Sequence, residues 1–289
     1  MSRALSPPEL AVCAQAACLL EVAAAKPGNV SRHTDFGDTS FEDFLLSAAA
    51  VGPALGAAGE AGVGETVLRA VQDTRRWVAV NTNLGILLLL APLARAAALN
   101  AAPLRSRVSR VLSTLTVADA QAVYSAIRLA DPRGLGHVEA QDVREEPTVT
   151  LREAMALAAE RDTIAREYVT DYEVTFGLAV PALRRARDRG LGWAAATLES
   201  YLCVLAEVPD TLIARKRGDE AARSVSERAR EVLAAGEPGS LERARATEAF
   251  DSELRGDANR LNPGTTADLV AAALFVALGE DLSRGRRFA

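Results

Sequence analysis

Side chains able to bind phosphate, hold a metal ion and move a proton are concentrated in segment 26–38 of this chain. They comprise two cations, a histidine and two aspartates: Lys26, Arg32, His33, Asp35 and Asp38. The cations could hold phosphate oxygens, the histidine could donate to a phosphate or carry a proton, and the two carboxylates could share a hydrated Mg²⁺. The structural alternative is a solvated turn in which Asp38 or Thr39 caps the next helix. Because capping alone does not require these residue types together, the segment favours a functional site.

A second polar motif, Asn81-Thr82-Asn83, directly precedes the most apolar run of the chain, Leu84 to Leu93. Side-chain amides and free backbone N–H groups at the start of a helix form a ready site for an anion. Helix capping would account for one of the two asparagines. The motif therefore indicates little alone and gains weight beside the others.

Three consecutive cations, Arg215, Lys216 and Arg217, end a motif that begins at Asp210. Adjacent cations repel one another unless water or an anion meets them. An exposed helix end is the usual structural outcome. A polyphosphate is the functional alternative, because arginine offers bidentate contacts and lysine offers a point charge.

The last polar motif, Asn262-Pro263-Gly264-Thr265-Thr266-Ala267-Asp268, opens the final apolar stretch. Thr265 or Thr266 is suited to cap a helix there, and Asp268 favours the positive end of the helix. Capping explains this motif when it is taken singly. Across all four motifs, we expect the following phosphate ligands: Lys26, Gly28, Asn29, Arg32, Asn81, Thr82, Asn83, Arg215, Lys216, Arg217, Asn262 and Thr265.

The elements that must position these motifs are helices, because alternating strand patterns are almost absent. The predicted helices are Glu9–Ala25, Phe41–Leu55, Glu65–Thr74, Ile86–Leu99, Arg105–Leu112, Val117–Ala130, Leu151–Tyr168, Asp171–Arg189, Leu191–Glu207, Asp219–Leu233, Leu241–Arg255 and Thr266–Leu278. We expect an all-α fold in which 1–289 form a single multi-helix globular domain. An irregular central loop, Gly134 to Thr150, could cover the site through His137 or Asp142, and a loop without chemistry is the alternative.

The composition excludes several classes of partner. The 289 residues are 49% hydrophobic and 25% charged, which is enough for a sizeable core. A net charge of −5 and 4% aromatic residues provide neither a basic face nor a stacking platform for nucleic acid. The apolar run is too short to span a bilayer, no signal-peptide pattern is apparent, and Cys13, Cys18 and Cys203 lack metal or disulfide spacing. We therefore expect a cytoplasmic protein that binds small molecules rather than nucleic acid or membrane, and a homo-oligomer remains open.

Taken in order, the four motifs resemble the triphosphoribosyl-dephospho-CoA synthase family. The similar positions span almost the whole chain: Lys26-Pro27-Gly28, His33-x-Asp35-Phe36, Asn81-Thr82-Asn83-x-Gly85, Asp210-Thr211 with Arg217-Gly218, and Asn262-Pro263-Gly264-x-x-Ala267-Asp268-Leu269. The resemblance implies an all-α transferase with ATP as a substrate. Adenine leaves C1′ of the ATP ribose, and the 2′-hydroxyl of 3′-dephospho-CoA attacks that carbon. The resemblance also implies that Lys26, Arg217 and Lys216 bind the triphosphate and that Mg²⁺ lies near Asp35 and Asp268.

The motifs contain the groups that such a transfer needs. Cleavage of an N-glycosidic bond passes through an oxocarbenium-like state, which nearby carboxylates stabilise. The leaving adenine needs a proton donor and the attacking hydroxyl needs a base. The catalytic candidates are Asp35, Asp38, His33 and Asp268. The expected metal ligands are Asp35, Asp38 and Asp268.

Three segments depart from the family pattern. Asn83-Leu84 stands where members have His-Lys or His-Arg, Lys216-Arg217-Gly218-Asp219 replaces a His-Arg-Gly-Gly run, and 131–176 lacks a Gly-Ala-Arg-Gly-Glu pattern. The first hypothesis is Mg²⁺-dependent transfer of the triphosphoribosyl group from ATP to dephospho-CoA. One alternative is the same chemistry on another acceptor, such as a precursor of a pterin-type one-carbon cofactor. The others are a helical Mg²⁺-dependent hydrolase of nucleotides or ADP-ribosyl groups, and a nucleotide-binding protein without catalysis.

Overall fold

Helices account for the regular structure of the computed structural model, which describes residues 3–100, 102–131, 140–256 and 259–285. Within those ranges there is no β-strand, only two isolated bridges in the segment 31–39. The prediction of an all-α fold is confirmed. In chain order the helices are α1 (Pro7–Ala23), α2 (Phe41–Ala50), α3 (Gly52–Gly56), α4 (Val63–Arg75), α5 (Leu84–Ala97), α6 (Leu104–Ser113), α7 (Val117–Ala130), α8 (Leu151–Ala156), α9 (Thr163–Val169), α10 (Val180–Asp188), α11 (Trp193–Glu207), α12 (Thr211–Arg217), α13 (Asp219–Ala234), α14 (Leu241–Arg255) and α15 (Gly264–Ser283).

Two almost wholly apolar helices, α5 and α15, form the centre of the core. Every residue of α5 apart from Gly85 and Arg95 is buried, and α15 buries all residues from Leu269 to Gly279. A helix that is apolar on all sides must be surrounded, and α1, α10 and α11 pack on α15 while α4 and α6 pack on α5. The prediction that Leu84 to Leu93 is a buried core helix is confirmed. One cluster of core side chains extends from Leu5 to Leu278, while the single domain over 1–289 stays a prediction.

A proline inside α5 determines how the following helices attach to it. Pro92 has no backbone N–H, so the carbonyl of Leu88 loses its helical donor. The hydroxyl of Tyr168 donates to that carbonyl at 2.6 Å, and the hydroxyl of Tyr172 donates to the carbonyl of Leu89 at 2.8 Å. Both tyrosines are fully buried. These bonds hold α9 and the residues after it against α5.

Two differences from the predicted helices matter for the site. The predicted helix Leu151–Tyr168 is wrong as one element, because the chain turns after α8 and starts again at α9. Asp162 marks the new start, where its carboxylate accepts the N–H of Ile164 at 2.9 Å. The motif with three cations contains a separate short helix, α12, which the sequence did not separate from its surroundings. By contrast, α7 and α14 have the predicted bounds.

One stretch among the described residues, Phe41–Gly59, is long and apolar enough to cross a membrane by length and composition. It consists of α2, α3 and a 3₁₀ turn rather than one continuous α-helix. Its side chains Ser47, Val51 and Leu55 are buried, and its helices pack on α1 and α4. In this structure the stretch is part of the helical packing.

The central loop lies against α7 where the structure describes it. The hydroxyl of Tyr124 donates to the carbonyl of Gln141 at 2.7 Å, and Asp142 is buried in the same segment. Residues 132–139, which include His137, lie outside the described residues. Coverage of the site by this loop stays a prediction.

Candidate functional site

A single carboxylate caps two helices at the centre of the polar region. Oδ1 of Asp210 accepts the backbone N–H groups of Leu212 and Ile213, at 2.9 and 3.1 Å, at the start of α12. Oδ2 accepts the backbone N–H and the hydroxyl of Thr266, at 2.7 and 2.8 Å, in the first turn of α15. Burial raises the pKa of Asp210, and its hydrogen-bond donors oppose that rise. The starts of α12 and α15 are therefore fixed to each other.

The expectation that Thr265 or Thr266 is the N-cap of the last helix is wrong. Pro263 occupies the N-cap position of α15 and provides no side-chain cap. The acceptor comes from Asp210, the N-cap of α12, whose carboxylate reaches the first turn of α15. A sequence motif shows only its own residues, so a cap supplied from a distant segment could not be predicted.

A chain of hydroxyls brings a third helix start to the same place. The hydroxyl of Thr211 in α12 donates to the hydroxyl of Thr265 in α15 at 3.2 Å. It also accepts the backbone N–H of Thr163, the first residue of α9, at 3.2 Å. The helices α9, α12 and α15 therefore begin side by side.

The carboxylate of Asp268 lies where these three helices meet the start of α5. A Cβ at residue 85 would overlap Oδ2 of Asp268 and would lie 2.8 Å from Cδ1 of Ile164 in α9. Gly85 is therefore required by the close approach of Asp268 to the backbone of α5. Asp268 is partly buried, and the described residues offer its carboxylate no hydrogen-bond donor.

The surroundings of Asp268 disfavour its negative charge. Burial raises the pKa of Asp268 well above its usual range, and three other acids raise it further: Glu21, Asp210 and Asp162. The guanidinium of Arg215 acts in the opposite direction. A carboxyl group in such a setting can hold a proton at a pH where an exposed aspartate cannot.

Each of the three neighbouring acids has its own partner. Oε1 of Glu21 lies 2.8 Å from Nζ of Lys26. Asp162 caps α9, and its other oxygen lies 3.7 Å from Arg215. The third acid, Asp210, accepts backbone N–H groups at the starts of α12 and α15. Within this group Asp268 alone has neither a hydrogen-bond donor nor an ion-pair partner among the described residues.

The segment Lys26–Asn29 is buried in the fold. Gly28 has φ 73°, in the left-handed region, and a Cβ there would lie 3.0 Å from side-chain atoms of α14 and of the residue before α15. Its N–H donates to Asp251 at 2.7 Å, and Nδ2 of Asn29 donates to the hydroxyl of Tyr201 at 3.0 Å. Gly28 and Asn29, both expected phosphate ligands, thus have structural partners.

The other candidates of the first motif lie on an exposed turn before α2: Arg32, His33, Asp35 and Asp38. Oδ1 of Asp35 accepts the N–H of Phe41 at 2.8 Å, and Asp38 accepts the hydroxyl of Thr39 at 3.2 Å. The N-cap of α2 is Ser40, so the structural alternative, in which Asp38 or Thr39 caps this helix, is wrong. The catalytic and metal-binding roles of this turn stay predictions.

Every side chain of the second motif has a local partner. Oδ1 of Asn81 accepts the N–H of Leu84 at 3.1 Å, at the start of α5. Thr82 shares a 2.6 Å hydrogen bond with Ser47 in α2, and Asn83 donates to a hydroxyl of α4 at 3.3 Å. The motif fixes the start of α5 between α2 and α4.

The remaining candidates lie near the starts of α9 and α15 or at the end of α12. Arg215 faces Asp162, whereas Lys216 and Arg217 are exposed at the end of α12. Thr265 is buried within the hydroxyl chain. Oδ1 of Asn262 is buried and has no hydrogen-bond partner in the described part of the chain.

A family model described as ATP:dephospho-CoA triphosphoribosyl transferase matches residues 7–287. The chain belongs to this family. The crystal structure of an Archaeoglobus fulgidus protein named for triphosphoribosyl-dephospho-CoA synthase superposes with a TM-score of 0.64 and 30% identity, covering 82% of this chain and 98% of that chain.

Curated relatives are similar to this chain over a shorter region. A Pseudomonas syringae pv. syringae protein named "Probable 2-(5''-triphosphoribosyl)-3'-dephosphocoenzyme-A synthase" is 37% identical over 98 residues, which are 34% of this chain and 33% of the relative. A protein of the same name from Azotobacter vinelandii is 36% identical over 97 residues, 34% of this chain and 32% of the relative. The chain thus matches about one third of the length of these curated relatives.

The described residues do not form a metal site on their own in this member of the triphosphoribosyl transferase family. No three of their His, Cys, Asp and Glu side chains come close enough to hold a metal ion. Asp35, Asp38 and Asp268, the expected ligands, therefore do not form one group. Mg²⁺ that accompanies a nucleotide is held largely by phosphate oxygens and water, with one or two carboxylates.

Three acids of this transferase-family site were not among the residues selected from the sequence: Glu21, Asp162 and Asp210. Glu21 could have been noticed in the sequence, because an acid in the last turn of an apolar helix interacts unfavourably with the helix dipole. Asp162 was concealed inside a continuous helical pattern. Asp210 was noted as the start of a motif, but its link to α15 depends on the tertiary fold.

Proposed function

We propose that this protein transfers the 5-triphosphoribosyl group of ATP to 3′-dephospho-CoA with release of adenine. Membership of the ATP:dephospho-CoA triphosphoribosyl transferase family supports this reaction. The observation that carries it is the Asp268 carboxyl group, which lies where four helix starts meet and has no hydrogen-bond donor in the part of the chain that the structure describes. A structural acid would have a donor or a cation, as its three neighbours do.

In the proposed reaction, the bond between C1′ of the ribose and N9 of adenine breaks while the 2′-hydroxyl of dephospho-CoA attacks C1′. The proton of the hydroxyl ends on the leaving adenine, so the reaction needs one group that gives a proton and takes one back. Asp268 suits both steps because its raised pKa favours the protonated form before cleavage. Once ionised, it stabilises the positive charge that develops at C1′.

The triphosphate would lie at the helix starts and beside the cations. The first turns of α5 and α15 carry the positive end of each helix dipole, and side chains already accept the N–H groups of Leu84 and Thr266 there. Arg215, Lys216 and Arg217 add positive charge at the end of α12. These cations favour an anion at the end of α12, outside the group of buried acids. Mg²⁺ would enter with ATP, and Asp35 and Asp38 remain the candidates for a carboxylate contact to it.

The partner class follows from the same reasoning. A net charge of −5 and the nucleotide donor support small-molecule substrates rather than nucleic acid. Three free cysteines are compatible with the proposed cytoplasmic location. A homo-oligomer stays a prediction, which sedimentation velocity would test.

The test is product analysis. The purified protein is incubated with ATP and Mg²⁺, with and without dephospho-CoA, and free adenine and modified dephospho-CoA are measured by liquid chromatography and mass spectrometry. We expect adenine only when dephospho-CoA is present, in equal amount to the triphosphoribosyl product. Adenine released only with a pterin-type acceptor would show that this compound, rather than dephospho-CoA, is the acceptor. Phosphate or ribose products without transfer would indicate a hydrolase, and ATP binding without turnover would indicate a nucleotide-binding protein.

A further inference from the structure

The ammonium group of Lys26 is enclosed by the protein. The side chain is 0% exposed, and Nζ lies 2.8 Å from Oε1 of Glu21. Nζ also donates to the backbone carbonyls of Glu21 and Ala24. An ammonium group has three protons, and these three acceptors use all of them. Lys26 therefore has no proton left for a phosphate oxygen in this structure.

The backbone around Lys26 holds the side chain in place. The N–H of Lys26 donates to the carbonyl of Ala24 at 2.9 Å, and its carbonyl accepts the N–H of Asn29 at 3.2 Å. The hydroxyl of Tyr201 donates to the carbonyl of Pro27 at 2.7 Å. To reach outward, Lys26 would have to leave the buried pair and disturb this turn.

The partner of Lys26 is coupled to the proposed reacting group. Glu21 lies in the last turn of α1, which packs along α15, and its charge acts on Asp268. The Glu21 side chain is 5% exposed. Without a cation, Glu21 would place an uncompensated negative charge in the buried region where α1 packs on α15.

We propose that Lys26 is a positioning residue, which neutralises and fixes the Glu21 carboxylate in α1, the helix that packs on the Asp268 helix α15, and that Lys26 does not bind the triphosphate. The inference rests on the proposed function only in taking Asp268 as the reacting acid. It differs from the expectation from the sequence, in which Lys26 holds phosphate. Both lysines of the chain were expected to do so, and the structure distinguishes them, because Lys216 is exposed.

The test is a double-mutant cycle with Lys26→Met, Glu21→Gln and the variant with both changes. Thermal stability and the dissociation constant of inorganic tripolyphosphate are measured for each by calorimetry. We expect Lys26→Met to lower Tm, because it leaves a buried carboxylate unpaired. The double variant should recover most of that loss, and tripolyphosphate affinity should stay within roughly threefold of the wild type in both.

Loss of a phosphate ligand would give a different pattern. A charge-assisted contact removed from the triphosphate weakens binding by about tenfold or more, and the double variant would not restore it. A tenfold loss of tripolyphosphate affinity in both Lys26→Met and the double variant would overturn the proposal. A double variant that is less stable than Lys26→Met would also overturn it. If Lys26→Met alone does not fold, the double variant carries the same test. Lys216→Met makes the same chemical change at an exposed lysine and should lower Tm less than Lys26→Met does, because an exposed ion pair contributes little to stability.

Turnover provides a separate readout. In the single variants that fold, kcat for transfer should fall while KM for ATP stays within roughly threefold, because the ground-state contacts to ATP remain. A raised KM with unchanged kcat would contradict the positioning role. If the wild type releases no adenine with any acceptor, the proposed function fails, and stability with tripolyphosphate affinity still decides the role of Lys26.

Discussion

Asp210 accepts both polar hydrogens of Thr266, the backbone N–H at 2.7 Å and the hydroxyl at 2.8 Å, while its other oxygen caps α12. One side chain therefore fixes the starts of two helices. Asp210→Ala is expected to lower the free energy of unfolding by about 2 kcal/mol or more, because two caps are lost and buried N–H groups are left without acceptors. Urea unfolding followed by circular dichroism measures this loss.

A single cap elsewhere in the chain provides the control for Asp210. Ser240 accepts the N–H of Arg243 at 3.2 Å and caps only α14. Ser240→Ala should cost about 1 kcal/mol. If the two alanine variants lose equal stability, the double cap is not the reason for the burial of Asp210.

The space between Gly85 and Asp268 gives a second prediction. A Cβ at residue 85 would overlap Oδ2 of Asp268, so Gly85→Ala must displace the carboxyl group or the start of α5. We expect turnover to fall by about tenfold or more, since small displacements of a reacting group have large effects on rate. Gly177→Ala is the control, because a Cβ at that glycine meets nothing within 4 Å. Wild-type activity of Gly85→Ala would place the chemistry elsewhere.

Asp268 should lower the stability of the fold while serving catalysis. Its pKa is raised in the folded state, so the native state holds the proton more tightly than the unfolded chain does. The stability of the wild type therefore falls as pH rises from the ordinary value of 3.8 to the raised folded value, and the loss is complete above it. Asp268→Asn removes this titration, so the variant should be more stable than the wild type at neutral pH.

The advantage of Asp268→Asn should be absent below the ordinary aspartate pKa and should grow as pH rises. Urea unfolding of the two proteins across pH measures it, and each kcal/mol gained should raise Tm by about 2–4 °C. Gain of stability with loss of activity is the expected exchange at a functional site. An asparagine variant less stable than the wild type at neutral pH would show that Asp268 has a structural partner.

The contact between Tyr168 and α5 gives a prediction about the fold. Tyr168 donates to the Leu88 carbonyl, which Pro92 leaves without a helical donor. Tyr168→Phe should therefore cost about 1–3 kcal/mol, because a buried carbonyl loses its donor. In a Pro92→Ala background the helix supplies an N–H, and the same tyrosine change should cost less. Equal costs in both backgrounds would show that the stabilisation by Tyr168 does not depend on Pro92.

The sequence predicted the helices where local signals were complete. Thr116 and Ser240 cap α7 and α14 with their own side chains, and both helices have the predicted bounds. The predicted helix Leu151–Tyr168 was wrong because its pattern of apolar residues continues across the break. Asp162 caps α9, but in the sequence it reads as an ordinary exposed residue of a continuous helix.

The candidate site was predictable in its segments but not in its contacts. Asp268 was selected from its motif and lies near the start of α15, while its catalytic role stays a prediction. Lys26 was selected as a phosphate ligand, because nothing in the sequence indicates that a lysine is buried against an acid five residues earlier. Partner choice among charged residues depends on which helices pack together, and the sequence motifs do not contain that information.

The rate of adenine release by wild type and Asp268→Asn, at saturating ATP, Mg²⁺ and dephospho-CoA, tests the central claim most directly. Asp188→Asn, at an exposed aspartate at the end of α10, is the matched control. We expect adenine release by the wild type only with an acceptor, an unchanged rate for Asp188→Asn, and a rate reduced by about a hundredfold or more for Asp268→Asn. Adenine release by Asp268→Asn at the wild-type rate would contradict it.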